Sequence, residues 1–116
     1  MPLADLNVEM VGQLVVARLD GEIDMSNAGE LGEALGRQVS NEALGLILDL
    51  TDVHYLDSAG IQVIYELREQ LETRGQEIAL VVAPDSAIDG VLRVAGVGSV
   101  VGIAETLDEA MSDTGT

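Results

Sequence analysis

The most telling stretch of this chain is Leu56-Asp57-Ser58-Ala59-Gly60, which joins an apolar segment to an amphipathic one. Before it, Leu46–Leu50 has the apolar composition of a buried strand. After it, apolar residues recur at the spacing of one helix face, at Ile61, Ile64, Leu67 and Leu71. We therefore expect Ser58 at or next to a helix N-cap, where unpaired backbone N–H groups and the helix dipole favour an anion by roughly 0.3–1 kcal/mol.

Two interpretations of Ser58 are open at this point. Serine is a preferred N-cap residue, so its position alone favours a structural role. A hydroxyl at the start of a helix is also a suitable acceptor for a phosphate group. The nearby acidic residues allow the same choice: Asp57 either caps the helix or lies beside a phosphoserine, and Asp24 either ends a strand or contributes to that site.

The chain opens with the pattern of a β-hairpin. Leu6, Val8 and Met10 alternate with polar residues, residues 11–13 have the composition of a turn, and Leu14–Leu19 predicts the second strand. This hairpin adds an antiparallel pair to whatever sheet the rest of the chain forms.

Helix and strand patterns alternate through the rest of the chain. The predicted elements are a first helix capped by Ser26 or Asn27, a strand over Ile78–Val82, a short helix that ends at Gly96, a strand over Val100–Ile103 and a last helix with a Thr106–Glu109 capping box. Strands separated by helices pair in parallel. We expect a single α/β domain over residues 1–113, with a mixed, mostly parallel sheet and about four packed helices, followed by a frayed tail at 114–116.

The composition excludes several classes of protein. The 116 residues include no cysteine, so disulfides and thiolate metal sites are absent, which is compatible with a cytoplasmic location. There are 21 acidic residues against 5 arginines, with no lysine, and the formal net charge is −16. Nucleic acid and anionic membranes would be repelled. The longest apolar run is Ile78–Ala83, so we expect no signal peptide and no membrane span.

This chain lacks residues that the enzyme classes suggested by its pattern require. A nucleotide-binding P-loop needs a lysine after its glycines, and a receiver domain needs one near its phosphorylated aspartate. Ser58 is not in the G-x-S-x-G context of a hydrolase, because Leu56 occupies the position of the first glycine. The one histidine, His54, is expected in the same loop as Ser58, and the aspartates of residues 49–57 do not have calcium-loop spacing. We expect no catalytic residue, metal or cofactor; a small esterase using Ser58 is the enzymatic alternative.

Three motifs occur in an order that resembles the STAS domains, and specifically the bacterial anti-sigma factor antagonists. They are Gly21-Glu22-Ile23-Asp24, Asp57-Ser58-Ala59-Gly60, and Arg74-Gly75 ahead of the strand at Ile78–Val82. In that family a partner kinase, which is also the anti-sigma factor, phosphorylates the serine of the second motif. The resemblance implies that Ser58 is the phosphorylation site and that Asp24 lies beside it.

The resemblance also implies a regulatory cycle. The unphosphorylated protein would bind the kinase and thereby release a sigma factor, serine phosphorylation would break the complex, and a serine phosphatase would reset it. ATP and magnesium would belong to the partner. The implied phosphosite neighbours are Asp24, Asp57, Ala59 and Gly60, and the implied partner contacts are Asp24, Met25, Ser26, Tyr55, Leu56, Asp57, Ser58 and Ile61. The alternative function within the family is that of a small STAS subunit in a membrane lipid-transport or sensory complex.

Overall fold

The computed structural model describes residues 5–114, which form one five-stranded sheet whose strands lie in chain order. The elements are β1 (Asp5–Val11), β2 (Leu14–Ile23), α1 (Ala28–Gln38), β3 (Gly45–Leu56), α2 (Ser58–Glu72), β4 (Glu77–Val81), α3 (Ala87–Val94), a 3₁₀ turn (Val97–Ser99), β5 (Gly102–Ala104) and α4 (Leu107–Asp113). Within residues 5–114, no helix is both long enough and apolar enough to cross a bilayer.

The sheet is mixed, as the sequence predicts. β1 and β2 form the antiparallel hairpin, with a turn at Gly12, whose φ of 62° lies in the left-handed region that glycine adopts without strain. The other neighbouring strands pair in parallel and are joined by helices. The α/β class, the opening hairpin and the four helices are therefore confirmed.

The helices cover the two faces of the sheet unequally. Alternate residues of β2 separate the faces: Val15 and Leu19 join the main core beneath α1, α2 and α3, whereas Leu14 and Val16 join a smaller cluster with α4. The amphipathic faces predicted for α1 and α2 are buried in the main core, with Leu35 and Leu71 among its least exposed residues. This packing fixes where both helices begin, and so positions the predicted site.

β3 is longer than the predicted strand at Leu46–Leu50. The register with β2 shifts twice in its outer half, so that β3 carries extra residues relative to β2. Such bulges break the alternation of buried and exposed residues from which a strand is recognised. The expectation that His54 lies in the loop of Ser58 is wrong, because His54 belongs to β3.

The end of the chain departs from the sequence prediction in two places. The last strand begins at Gly102 and not at Val100, because the backbone N–H groups of Val100 and Val101 both donate to the Val97 carbonyl and complete a turn. Thr114 is only 4% exposed, so a frayed tail does not begin at this residue, and residues 115 and 116 lie outside the described part of the chain. The Thr106 cap of α4 is confirmed by its hydrogen bond from Glu109 N, at 3.2 Å.

Candidate functional site

The ends of β2 and β3 bring the two acidic motifs to one edge of the sheet. Ile23 and Leu56 are register partners in these neighbouring parallel strands, so Asp24 and Asp57 both follow a paired position. Neighbouring strands lie about 4.8 Å apart. The Asp57 N–H also donates to the Ile23 carbonyl at 3.2 Å. The two loops predicted to form the site are therefore joined directly.

Asp57, and not Ser58, caps helix α2. One carboxylate oxygen of Asp57 accepts the backbone N–H groups of Ala59 (2.9 Å) and Gly60 (3.2 Å). Ser58 is the first helical residue and is exposed. The capping interpretation of Ser58 is therefore wrong, that of Asp57 is confirmed, and the Ser58 hydroxyl stays free of a capping role. The expected anion attraction at this helix start is also reduced, because two of its N–H groups already have a partner.

Gly60 lets α2 begin close to the strand ends. A Cβ at this position would collide with the Leu56 Cδ1 atom and lie 3.1 Å from the Ile23 Cγ2 atom. Leu56 and Ile23 are both buried, so neither can move away freely. The glycine of the D-S-x-G motif thus has a packing role beside the exposed serine.

Asp24 is an anchored carboxylate at this edge. Its Oδ1 accepts hydrogen bonds from the Ser26 hydroxyl at 2.5 Å and from the Ser26 backbone N–H at 2.8 Å. These bonds, led by the one from the hydroxyl, hold the pKa of Asp24 below its ordinary value of 3.8. Asp24 therefore carries a negative charge throughout the neutral pH range.

The Asn27 side chain holds the end of β2 and does not cap α1. It occupies the N-cap position of α1 but makes no side-chain cap bond, so the prediction that it caps this helix is wrong. Its buried amide instead donates to the Glu22 carbonyl (2.8 Å) and accepts from the Asp24 N–H (3.0 Å). The sequence signal was weak, because asparagine before a helix is typical of an ordinary cap.

The predicted partner contacts differ in exposure. Met25 is 84% exposed and Tyr55 is 49% exposed, so both side chains are accessible to a partner. Ser26 is exposed and Ile61 is half-buried. Leu56 is only 3% exposed and packs in the core, so it offers a partner little surface.

The charge around Ser58 is negative. Within residues 5–114, arginines form ion pairs with Asp49, Glu72 and Asp89, none of which belongs to the two motif loops. The carboxylates of Asp24 and Asp57 are instead held by hydrogen bonds from hydroxyl and backbone groups. No three acidic or histidine side chains of the described residues are grouped to hold a metal ion. What this site offers chemically is an exposed serine hydroxyl that directly follows the Asp57 cap, at the edge of the sheet that also carries the Asp24 carboxylate.

This sheet order, with a serine opening the second helix beside an acidic loop, is the architecture of a STAS domain. The family model of the STAS domain matches residues 5–110, and the chain belongs to this family. The chain is 29% identical over 100 residues to the anti-sigma-F factor antagonist RsfB of Mycobacterium tuberculosis, covering 85% of this chain and 80% of RsfB.

Solved structures extend the likeness. An anti-sigma factor antagonist from Mycobacterium paratuberculosis superposes with a TM-score of 0.83 at 25% identity, over 95% of this chain and 92% of that one. The Bacillus cell fate determinant SpoIIAA in its phosphorylated form has a TM-score of 0.66 at 23% identity, over 94% of this chain and 98% of SpoIIAA. The likeness to SpoIIAA is one of fold.

Proposed function

We propose that this chain is an anti-sigma factor antagonist that binds a kinase-type anti-sigma factor when Ser58 is unphosphorylated, releasing a sigma factor for transcription. The observation that carries the proposal is the exposed Ser58 hydroxyl at the first residue of α2, left free because Asp57 makes the cap. The names of RsfB and of the mycobacterial structural neighbour support it.

Phosphorylation acts in this proposal as an electrostatic switch. A phosphate adds about −1.5 to −2 charges at neutral pH. At Ser58 this charge adds to that of Asp57, the preceding residue, and of Asp24 at the end of the neighbouring strand, while the N–H groups of Ala59 and Gly60 are already bonded to Asp57. A partner surface fitted to a neutral hydroxyl is then repelled without refolding of the domain.

The chain supplies the acceptor and the docking surface, and its partners supply the chemistry. ATP, magnesium and the catalytic base belong to the kinase, and a serine phosphatase removes the phosphate. The chain itself is a cytoplasmic phosphoprotein with no enzymatic activity, and it acts on neither nucleic acid nor membrane. Tyr55 and Met25 present apolar contact area at the acidic edge, with Ser26 and Ile61 beside them. The negative charge steers a basic partner surface toward this edge.

Phosphate transfer and complex formation test the proposal together. Wild type, Ser58→Ala and the matched control Ser99→Ala, which changes another exposed serine, are incubated with the host's kinase-type anti-sigma factor and Mg-ATP. Intact-mass analysis should show one phosphate on wild type and Ser99→Ala and none on Ser58→Ala. Native gels should show that the phosphorylated forms lose the complex.

Other outcomes contradict the proposal in different ways. Binding without phosphate transfer would indicate a constitutive docking subunit. If the chain neither bound the kinase nor accepted phosphate, and co-purified with a membrane permease, it would instead be a small subunit of a lipid-transport or sensory complex. Turnover of an activated ester that disappears in Ser58→Ala would indicate the esterase.

A further inference from the structure

We infer that Asn27 is a positioning residue that sets where Asp24 and the start of α2 lie relative to one another. The effect of this positioning on phosphorylation of Ser58 rests on the proposed function. The structure holds three consecutive residues at the end of β2 from two sides. The Asn27 amide binds Glu22 and Asp24, at 2.8 and 3.0 Å. The carbonyl of Ile23, between them, accepts the N–H of Asp57.

The amide of Asn27 is buried and its bonds stay within this loop. The side chain is 2% exposed, and its donor and its acceptor each have a backbone partner. The start of α1 is secured separately, by backbone bonds from Asn27 and Ala28 to the Asp24 carbonyl at 3.1 and 2.9 Å. Helix formation therefore does not require the amide, whose bonds fix the shape of residues 22–24.

The connection from this loop to Ser58 is short. Asp57 is the N-cap of α2 and the residue before Ser58. Its N–H donates to the carbonyl of Ile23, which lies between the two residues bonded by the Asn27 amide. Loss of the Asn27 amide removes one hydrogen bond from Glu22 and one from Asp24, on either side of the Ile23 carbonyl to which Asp57 is bonded. Asn27 thus acts on the Ser58 site through the backbone of the loop, without touching the serine.

Gln76 offers a matched control at the opposite edge of the sheet. It precedes β4, whereas Ser58 follows β3, and these strands are parallel. Its side chain is 6% exposed, and its amide donates to the carbonyls of Ser40 (2.7 Å) and Ala43 (2.9 Å). Asn27→Ala and Gln76→Ala each remove a buried amide with two backbone bonds, but only the first lies at the candidate site.

Amide hydrogen exchange tests the inference on the full chain without a partner. In Asn27→Ala, the N–H groups of Asp24 and Asp57 should exchange on the order of tenfold faster than any global destabilisation explains. In Gln76→Ala their exchange should change only as much as the global stability does. Equal effects of the two variants on Asp57 would overturn the inference and leave Asn27 a general stabilising residue.

Asn27→Asp provides a second variant if the alanine variant does not fold. It keeps an acceptor for the Asp24 N–H but sets a carboxylate oxygen against the Glu22 carbonyl, so it should also loosen Asp57. Unchanged Asp57 exchange in a folded Asn27→Asp would overturn the inference too.

Phosphorylation kinetics with the kinase-type anti-sigma factor then test the consequence. Asn27→Asp should raise the KM for transfer to Ser58 several-fold, whereas Gln76→Ala should match wild type. Faster Asp57 exchange with wild-type kinetics would overturn the positioning role in phosphorylation. Faster exchange in a chain whose wild type accepts no phosphate would instead contradict the proposed function and leave the structural role of Asn27 intact.

Discussion

The Asp57 carboxylate is the side chain that holds the first turn of α2, through the N–H groups of Ala59 and Gly60. Asp57→Ala should lower the free energy of unfolding by about 0.5–2 kcal/mol, because these donors lose their cap. Urea denaturation measures the change. Asp57→Asn keeps a capping oxygen and should retain most of the stability. If both variants lost the same amount, the carboxylate charge and not the hydrogen bonds would be the source of the stability.

The hydrogen bond from the Ser26 hydroxyl is the largest cause of the lowered pKa of Asp24. Ser26→Ala should raise the pKa of Asp24 toward 3.8, because it removes the largest cause of the lowering. Because the pKa of Asp24 is lower in the folded chain than in the unfolded chain, ionised Asp24 stabilises the fold at pH values above the unfolded-state pKa. This stabilisation is lost as the pH falls through the folded-state pKa. Titration of the Asp24 carboxyl carbon by NMR measures the shift. Ser99→Ala, a distant serine change, should leave the titration unaltered, and an unmoved midpoint in Ser26→Ala would contradict the assignment.

Helix α2 begins where it does because Gly60 permits contact with the ends of β2 and β3. Gly60→Ala should destabilise the fold by about 1–3 kcal/mol, since its Cβ collides with buried Leu56. Gly29→Ala is the matched control: it also lies in a helix, and its Cβ would meet nothing within 4 Å. That variant should be stabilised by about 0.5–1 kcal/mol. In thermal or urea unfolding, the changes in the free energy of unfolding of the two variants should have opposite signs. Changes of the same sign would contradict the packing argument.

The spacing of apolar residues predicted the helices and strands in which that spacing is regular from end to end. The hairpin and the buried faces of α1 and α2 were recovered because their apolar residues recur regularly. The outer half of β3 was missed because its register shifts interrupt the alternation. At the candidate site, the nearness of Asp24 and Asp57 followed from topology. The hydrogen bonds of the Asn27 amide could not be predicted, because its partners are backbone groups whose positions are defined only in the folded chain.

The protein carries a net charge of −16, and the part of the chain that the structure describes measures 33 × 27 × 22 Å. At about 0.01 M salt the screening length is roughly 30 Å, so nearly every carboxylate repels every other; at about 1 M it is roughly 3 Å, and only neighbours interact. Because unfolding moves these charges apart, repulsion destabilises the compact state more than the unfolded chain.

Sodium chloride should therefore stabilise this protein. Between about 0.01 and 0.5 M salt, we expect the free energy of unfolding in urea to rise on the order of 1 kcal/mol, because screening relieves the repulsion. Urea is the suitable denaturant because it adds no ions. Potassium chloride at the same concentrations should give the same rise, which separates screening from binding of a particular cation. A midpoint that stayed constant or fell with salt would mean that the ion pairs of Arg18, Arg68 and Arg93 outweigh the repulsion among the acidic residues.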